Sequence, residues 1–266
     1  MIEIFEGIRL LLCLSFMVYA SWSDWKKREV SNKVWLIMAP LAFALTIFQF
    51  IVFSSRLLQL LQFYVLSFVI IAGLSVALFY MGAFGGADAK ALMCLALALP
   101  SYPSYLFKSN APFVSYVFPV TVFSNGVLLA AFTVVYAALR NSIWRLRTGR
   151  KLFGGFENES TWRKFLAFLT GYKIKVSELE KGHMYPLEDI GKKETGETER
   201  HLLVFPKDEK VDGMVERILK AKREGRLPNE VWATPGLPLL VFLTAGLIVA
   251  LVFGDIVWFL LRLIFA

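Results

Sequence analysis

The stretch FYMGAFGGADAKALMCL, residues 79–95, decides how the rest of the chain is read. A long apolar run stops at Met81, and Gly82, Ala83, Gly85, Gly86 and Ala87 follow it. One carboxylate, Asp88, then opens a new apolar run, with Lys90 two residues on. A carboxylate at the mouth of an apolar helix is costly to place and usually has a task. Small residues just before it let other backbones, a substrate's included, come close.

The apolar runs on either side of this stretch recur along the chain. Of 266 residues, 57% are hydrophobic and 15% aromatic, more than a soluble domain normally carries. Several runs reach the roughly 20 residues that a spanning helix needs. Helices are expected over about residues 5–23, 34–53, 57–81, 88–99, 113–139 and 237–264, with Ser31 or Asn32 capping the second. Pro119, Asn125 and Gly126 predict a kink in the fifth. Residues 140–233 form a polar block with 20 basic and 15 acidic side chains. Within it, WRKFLAFLTGYKIKV reads as a helix end, a turn and a strand, and HLLVFP as a second strand. DGMVERILKAKREG reads as a helix stopped by Gly, and GKKETGETER as a turn.

The expected fold class is therefore an all-α polytopic membrane protein of six transmembrane helices, with a small cytoplasmic α+β domain inserted before the last helix. Residues 1–139 hold five helices and both candidate aspartates, 140–233 the polar domain, and 234–266 the last helix. Basic residues cluster after the first helix (Lys26, Lys27, Arg28, Lys33) and after the fifth (Arg140, Arg145, Arg147, Arg150, Lys151). The other connections are poor in them. By the positive-inside rule the N-terminus lies outside, and the connections bearing Asp24, Asp88 and the polar block lie in the cytoplasm.

The formal charge of +8 does not argue for nucleic acid as a partner, because the cations sit where membrane orientation requires them. Cys13 and Cys94 fall inside apolar runs without metal-type spacing, and His183 and His201 are separated by a charged loop. Neither a metal site nor a cofactor is expected. The first apolar run ends in VYAS, but Glu3 and Glu6 precede it where a secretory signal would be basic.

Asp24, in SDWKKREVSNK, lies at the end of the first helix, at the depth and on the side expected for Asp88. Taken singly, Asp24 reads as an interfacial residue and Asp88 as an N-cap. Taken together, they suit proton-transfer chemistry. Two neighbouring carboxylates cannot easily both ionise, so one keeps a proton while the other is charged. The charged one can take a proton from water attacking a peptide carbonyl, and the other can polarise that carbonyl.

The residues GGADAK, 85–90, resemble the GxGDxK signature of the type IV prepilin peptidases and archaeal preflagellin peptidases. DWKKREVSN, 24–32, resembles their first aspartate motif, and TPGLPLLVFLTAG resembles the proline-rich entry to their last helix, through Pro235 and Pro238. Ala87 stands where the family usually has Gly, and Ser31 where Pro is common. The resemblance implies a metal-free aspartic endopeptidase in the cell membrane, with Asp24 and Asp88 catalytic. Gly85, Gly86, Ala87 and Lys90 would support the motif, while Pro235 and Pro238 would shape the site. It implies preflagellin or pilin-like precursors as substrates, cut where a short basic leader meets an apolar helix. Lacking the cysteine-bearing insert of many bacterial members, the chain resembles the archaeal branch. Two other classes stay open: an ion-coupled transporter using Asp24, Asp88 and Asp255, and a non-catalytic membrane scaffold. Asp255 itself reads as an outer-interface residue.

Overall fold

The computed structural model describes residues 1–53, 55–107, 113–179, 183–192, 198–203 and 211–265. It divides into one unit of Met1–Ala130 with Pro238–Ala266, and a second of Ala131–Leu237.

The first unit holds α1 (Ile2–Lys27), α2 (Asn32–Phe53), α3 (Leu57–Tyr80), α4 (Gly86–Ala98), the start of α5 (Phe118–Thr148), α9 (Leu239–Phe253) and α10 (Ile256–Phe265). Its centre is α4, which packs against α1, α2, α3 and α9. Ala89, Ala91, Ala96 and Ala98 are buried among Leu92, Cys94 and Leu95. So many small side chains let four neighbours approach one helix closely. Cys13 and Cys94 are both buried and free, as expected of small apolar side chains. Two polar residues in α1 are also buried. Arg9 donates to Thr46 at 3.3 Å, and Glu6 accepts from the Tyr105 backbone at 3.1 Å.

Among the described residues, three helices, α2, α3 and α5, are long and apolar enough to cross a membrane, and α9 with α10 would make a fourth if the bent pair is one span. The fourth expected helix has 13 residues, about 20 Å at 1.5 Å per residue, which falls short of a hydrocarbon core of about 30 Å. The last expected helix is not continuous. It breaks into α9 and α10, bent by 62°. Gly254 ends α9 with φ 77°, a left-handed value that glycine adopts without strain. Asp255 then caps α10, its carboxylate accepting from the Trp258 backbone at 3.0 Å and from Ser124 Oγ at 2.9 Å. Asn125 braces the same break, donating to the Gly254 carbonyl and accepting from the Ile256 N–H. The structure thus makes Asp255 a buried helix cap.

The second unit holds the end of α5, α6 (Thr161–Thr170), β1 (Tyr172–Lys175), α7 (Val176–Leu179), β2 (Met184–Pro186), β3 (Glu188–Lys192), β4 (Thr198–Leu202), α8 (Val211–Arg223) and β5 (Glu230–Pro235). An antiparallel sheet runs in the order β1-β5-β2, and β3 pairs with β4. Ile174, Val231 and Ile218 centre one core, and Trp232, Phe156 and Leu187 another. Trp232 stacks on Phe153 with ring centroids 4.7 Å apart. The helix and first strand fall where the sequence placed them. The strand read from HLLVFP instead lies earlier, at Thr198–Leu202, and residues 204–206 lie outside the described set. Of the expected turn GKKETGETER, the ends belong to β3 and β4, and residues 193–197 lie outside the described set.

Candidate active site

Asp24 sits in the last turn of α1, half-buried. The helix ends three residues later because Arg28, its C-cap, turns left-handed, at φ 56°, and donates its N–H to the Asp24 carbonyl at 3.0 Å. The Arg28 charge also reaches the Asp24 carboxylate. From the other side comes the start of α9, where Pro238 is the N-cap. The first N–H groups of a helix lack partners within it, and that of Leu240 reaches the Asp24 carboxylate. A ladder of hydroxyls fixes this meeting. Ser21 donates to the Leu240 carbonyl at 2.9 Å and lies 2.7 Å from Thr244 Oγ1, which in turn reaches the Met17 carbonyl at 3.3 Å.

Asp88 is the third residue of α4, not its N-cap. Gly85 takes the cap position, and its backbone N–H donates to Asp88 Oδ2 at 2.9 Å. Residue 85 is under steric constraint, since a Cβ there would come 3.1 Å from that oxygen. Gly86 has ordinary room, with Phe79 3.8 Å from where a Cβ would stand. Ala87 is half-buried and packs against the core of the first unit. The preceding turn closes on Gly82 at φ 74°, and the N–H groups of Ala83 and Phe84 both donate to the Leu78 carbonyl. The polypeptide therefore reverses tightly out of α3 and delivers Asp88 at the head of the buried helix.

Asp24 and Asp88 come within electrostatic reach of each other. A second link joins the two aspartate-bearing stretches, for Lys90 Nζ donates to Asn32 Oδ1 at 2.6 Å. Lys90 thus ties α4 to the start of α2. Pro235 ends β5 in the second unit, pairing with Met184. Among the described residues, no group of three or more His, Cys, Asp and Glu side chains could hold a metal ion. Ser21 and Thr244 gave no sequence signal of a role here, because a hydroxyl inside an apolar run has no pattern of its own.

The model of the Type IV leader peptidase family matches residues 11–137, which take in both aspartates. A second model, Archaeal Peptidase A24 C-terminus Type II, matches residues 163–256. The chain is similar to the type IV leader peptidase family over these two stretches. Both matches support a peptidase. A preflagellin peptidase of Methanococcus voltae is 29% identical over 243 residues, covering 90% of this chain and 92% of the relative. A preflagellin peptidase of Methanococcus maripaludis (strain C6 / ATCC BAA-1332) is 23% identical over 245 residues, with the same coverage.

Proposed function

We propose that this chain is a membrane aspartic endopeptidase that removes a short basic leader from preflagellin or type IV pilin-like precursors. The observation that carries this reading is the approach of Asp24 and Asp88 from separate helices in a leader-peptidase chain. In the proposed chemistry the two carboxylates share one proton around a single water. The ionised member takes a proton from that water as the oxygen attacks the scissile carbonyl. The protonated member donates to the carbonyl oxygen, and the proton taken from water later passes to the leaving amine. Lys90 and Asn32 hold the two motif stretches in register. Gly85 and Ala87 keep the approach to Asp88 narrow but open.

The same reading places the enzyme in the cell membrane, with the N-terminus outside and the active site facing the cytoplasm. Alternation of basic and non-basic connections supports that orientation. A leader that is basic and cytoplasmic, joined to an apolar helix, then presents its junction at the depth of Asp24 and Asp88. Pro238, at the start of α9 beside Asp24, is suited to shape the groove the junction enters. Pro235 is proposed, on the resemblance alone, to shape substrate entry as well.

The test replaces each aspartate singly, Asp24→Asn and Asp88→Asn, in membranes carrying a flagellin-like precursor. With insertion verified, both variants should leave the precursor uncut, while Asp255→Asn cuts at the parent rate per folded molecule. Full cleavage by either of the first two variants removes that residue from the chemistry.

A further inference from the structure

The second unit contains an open cavity of about 940 Å³ whose lining is strongly one-signed. Arg150, Lys151, Lys173, Lys175, Lys222 and Arg223 all face it, together with Arg200, and the one carboxylate in the lining is Glu230. Arg200 is neutralised, since Glu188, fully buried, accepts from it through both oxygens at 2.8 and 2.7 Å. Among the described residues, the other six make no salt bridge.

Six like charges around one hollow repel one another, and a folded chain keeps such an arrangement at the expense of stability. Several of these side chains are also positioned. Lys173 lies 4.1 Å over the Trp144 ring and is half-buried. Burial, with Arg200 and Arg150 nearby, lowers its proton affinity against the pull of Glu230. Lys222 is hydrogen-bonded to Asn229. Trp144 Nε1 points to Glu230 at 3.5 Å, which engages the lone carboxylate of the lining.

We propose that this cavity is a binding site for a phosphate-bearing polyanion. Its volume is that of a small-molecule pocket, far more than a lone phosphate ion fills. Two arginines supply the planar forks that match phosphate oxygens in pairs, and four lysines supply point charges around them. A basic leader peptide would be repelled here, so the site is distinct from the peptide-cleaving one. The ligand can be a lipid headgroup or a soluble phosphate. Trp144 lies five residues beyond Leu139 on α5, a helix long and apolar enough to span a membrane. That is about 7.5 Å along the axis, close enough to the end of the apolar run for a headgroup to be within reach.

The test uses the full chain in a neutral detergent and follows its thermal unfolding and binding by thermophoresis. The probes are dioctanoyl phosphatidic acid, dioctanoyl phosphatidylcholine and inorganic pyrophosphate. Phosphatidic acid should bind at least ten-fold tighter than phosphatidylcholine and raise the unfolding temperature. The double variant Lys175→Glu/Arg223→Glu, altered at two exposed positions, should lose that binding. Arg147→Glu/Lys220→Glu, with the same charge change outside the cavity, should keep it. Pyrophosphate binding as tight as phosphatidic acid assigns the site to a soluble phosphate, and weaker binding assigns it to a headgroup. If neither phosphate probe outbinds phosphatidylcholine, or if the two double variants behave alike, the proposal is overturned. None of these readouts depends on peptide cleavage, so they stand apart from the aspartate tests.

Discussion

Gly246→Ala should loosen the first unit by an amount that its geometry sets. A Cβ at residue 246 would lie 2.6 Å from both the Gly126 nitrogen and the Val122 carbonyl oxygen, and 2.9 Å from the Gly126 Cα. Ordinary contact needs about 3.4 Å, so the shortfall is roughly 0.8 Å, and all three atoms are backbone that cannot rotate aside. α5 and α9 must part by about that distance. A gap of 0.5–1 Å forfeits a quarter to a half of each contact's attraction. Spread over the side chains packed there, the loss is about 1–3 kcal/mol, the range found for overpacked cores. Two other glycines calibrate the effect. A Cβ at Gly126 would meet the Phe242 carbonyl at 3.2 Å and the Leu243 Cα at 3.3 Å, while one at Gly73 would meet nothing within 4 Å. The expected order of unfolding temperatures in detergent is therefore Gly246→Ala lowest, Gly126→Ala intermediate, and Gly73→Ala at or above the parent, since alanine favours helix. Because α9 also brings Leu240 to Asp24, precursor cleavage should fall in the same order. A Gly246→Ala protein that melts with the parent, or above Gly126→Ala, would refute the close approach of the two helices.

Lys90→Met removes the bond to Asn32 and should cut turnover by about ten-fold through loss of positioning. Lys90→Arg should recover part of it in the same membrane assay, and parent-level cleavage by Lys90→Met would rule the tie out of function. Asp255→Ala strips the α10 cap of its contacts to Trp258 and Ser124 and should cost about 1–2 kcal/mol in thermal unfolding, with cleavage per folded molecule unchanged. Glu159 is held below the ordinary glutamate range: burial opposes its charge, but the Leu202 N–H, Arg163 and His201 outweigh burial. The folded state therefore binds this proton less tightly than the unfolded chain. The stability it contributes is present above the ordinary glutamate value and fades as pH falls through its own lower one. Glu159→Gln should lower stability at neutral pH by about 1 kcal/mol and flatten the acid side of the unfolding curve.

The placement of Asp24 and Asp88 at helix ends was legible because its signals are local. A carboxylate beside a run of small residues stands out in an apolar sequence, and so does one ahead of a basic cluster. α2 and α3 were legible for the same reason, being unbroken apolar runs between polar stops. The bend at Gly254–Asp255 was misread although its residues are a common helix stop followed by a common helix start. The apolar residues on both sides outweighed two polar letters. Ser21 and Thr244 lie 223 positions apart, and no window along the chain contains both. Gly246 inside LTAGLIVA looks like any small residue until the backbone facing it is known. β5, the middle strand of its sheet, was hidden because EVWATP is flanked by the turn residues that marked a domain edge.

The N–H of Gly85 engages just one oxygen of Asp88, Oδ2, and this makes the two halves of that carboxylate inequivalent. On the proposed chemistry, Oδ1 is left to turn toward the nucleophile, so the side from which it attacks is set by main chain and not by a rotatable group. An amide-to-ester replacement at residue 85 would erase this distinction while leaving every side chain in place. The direction in which this carboxylate faces the water would then reside in a single peptide plane.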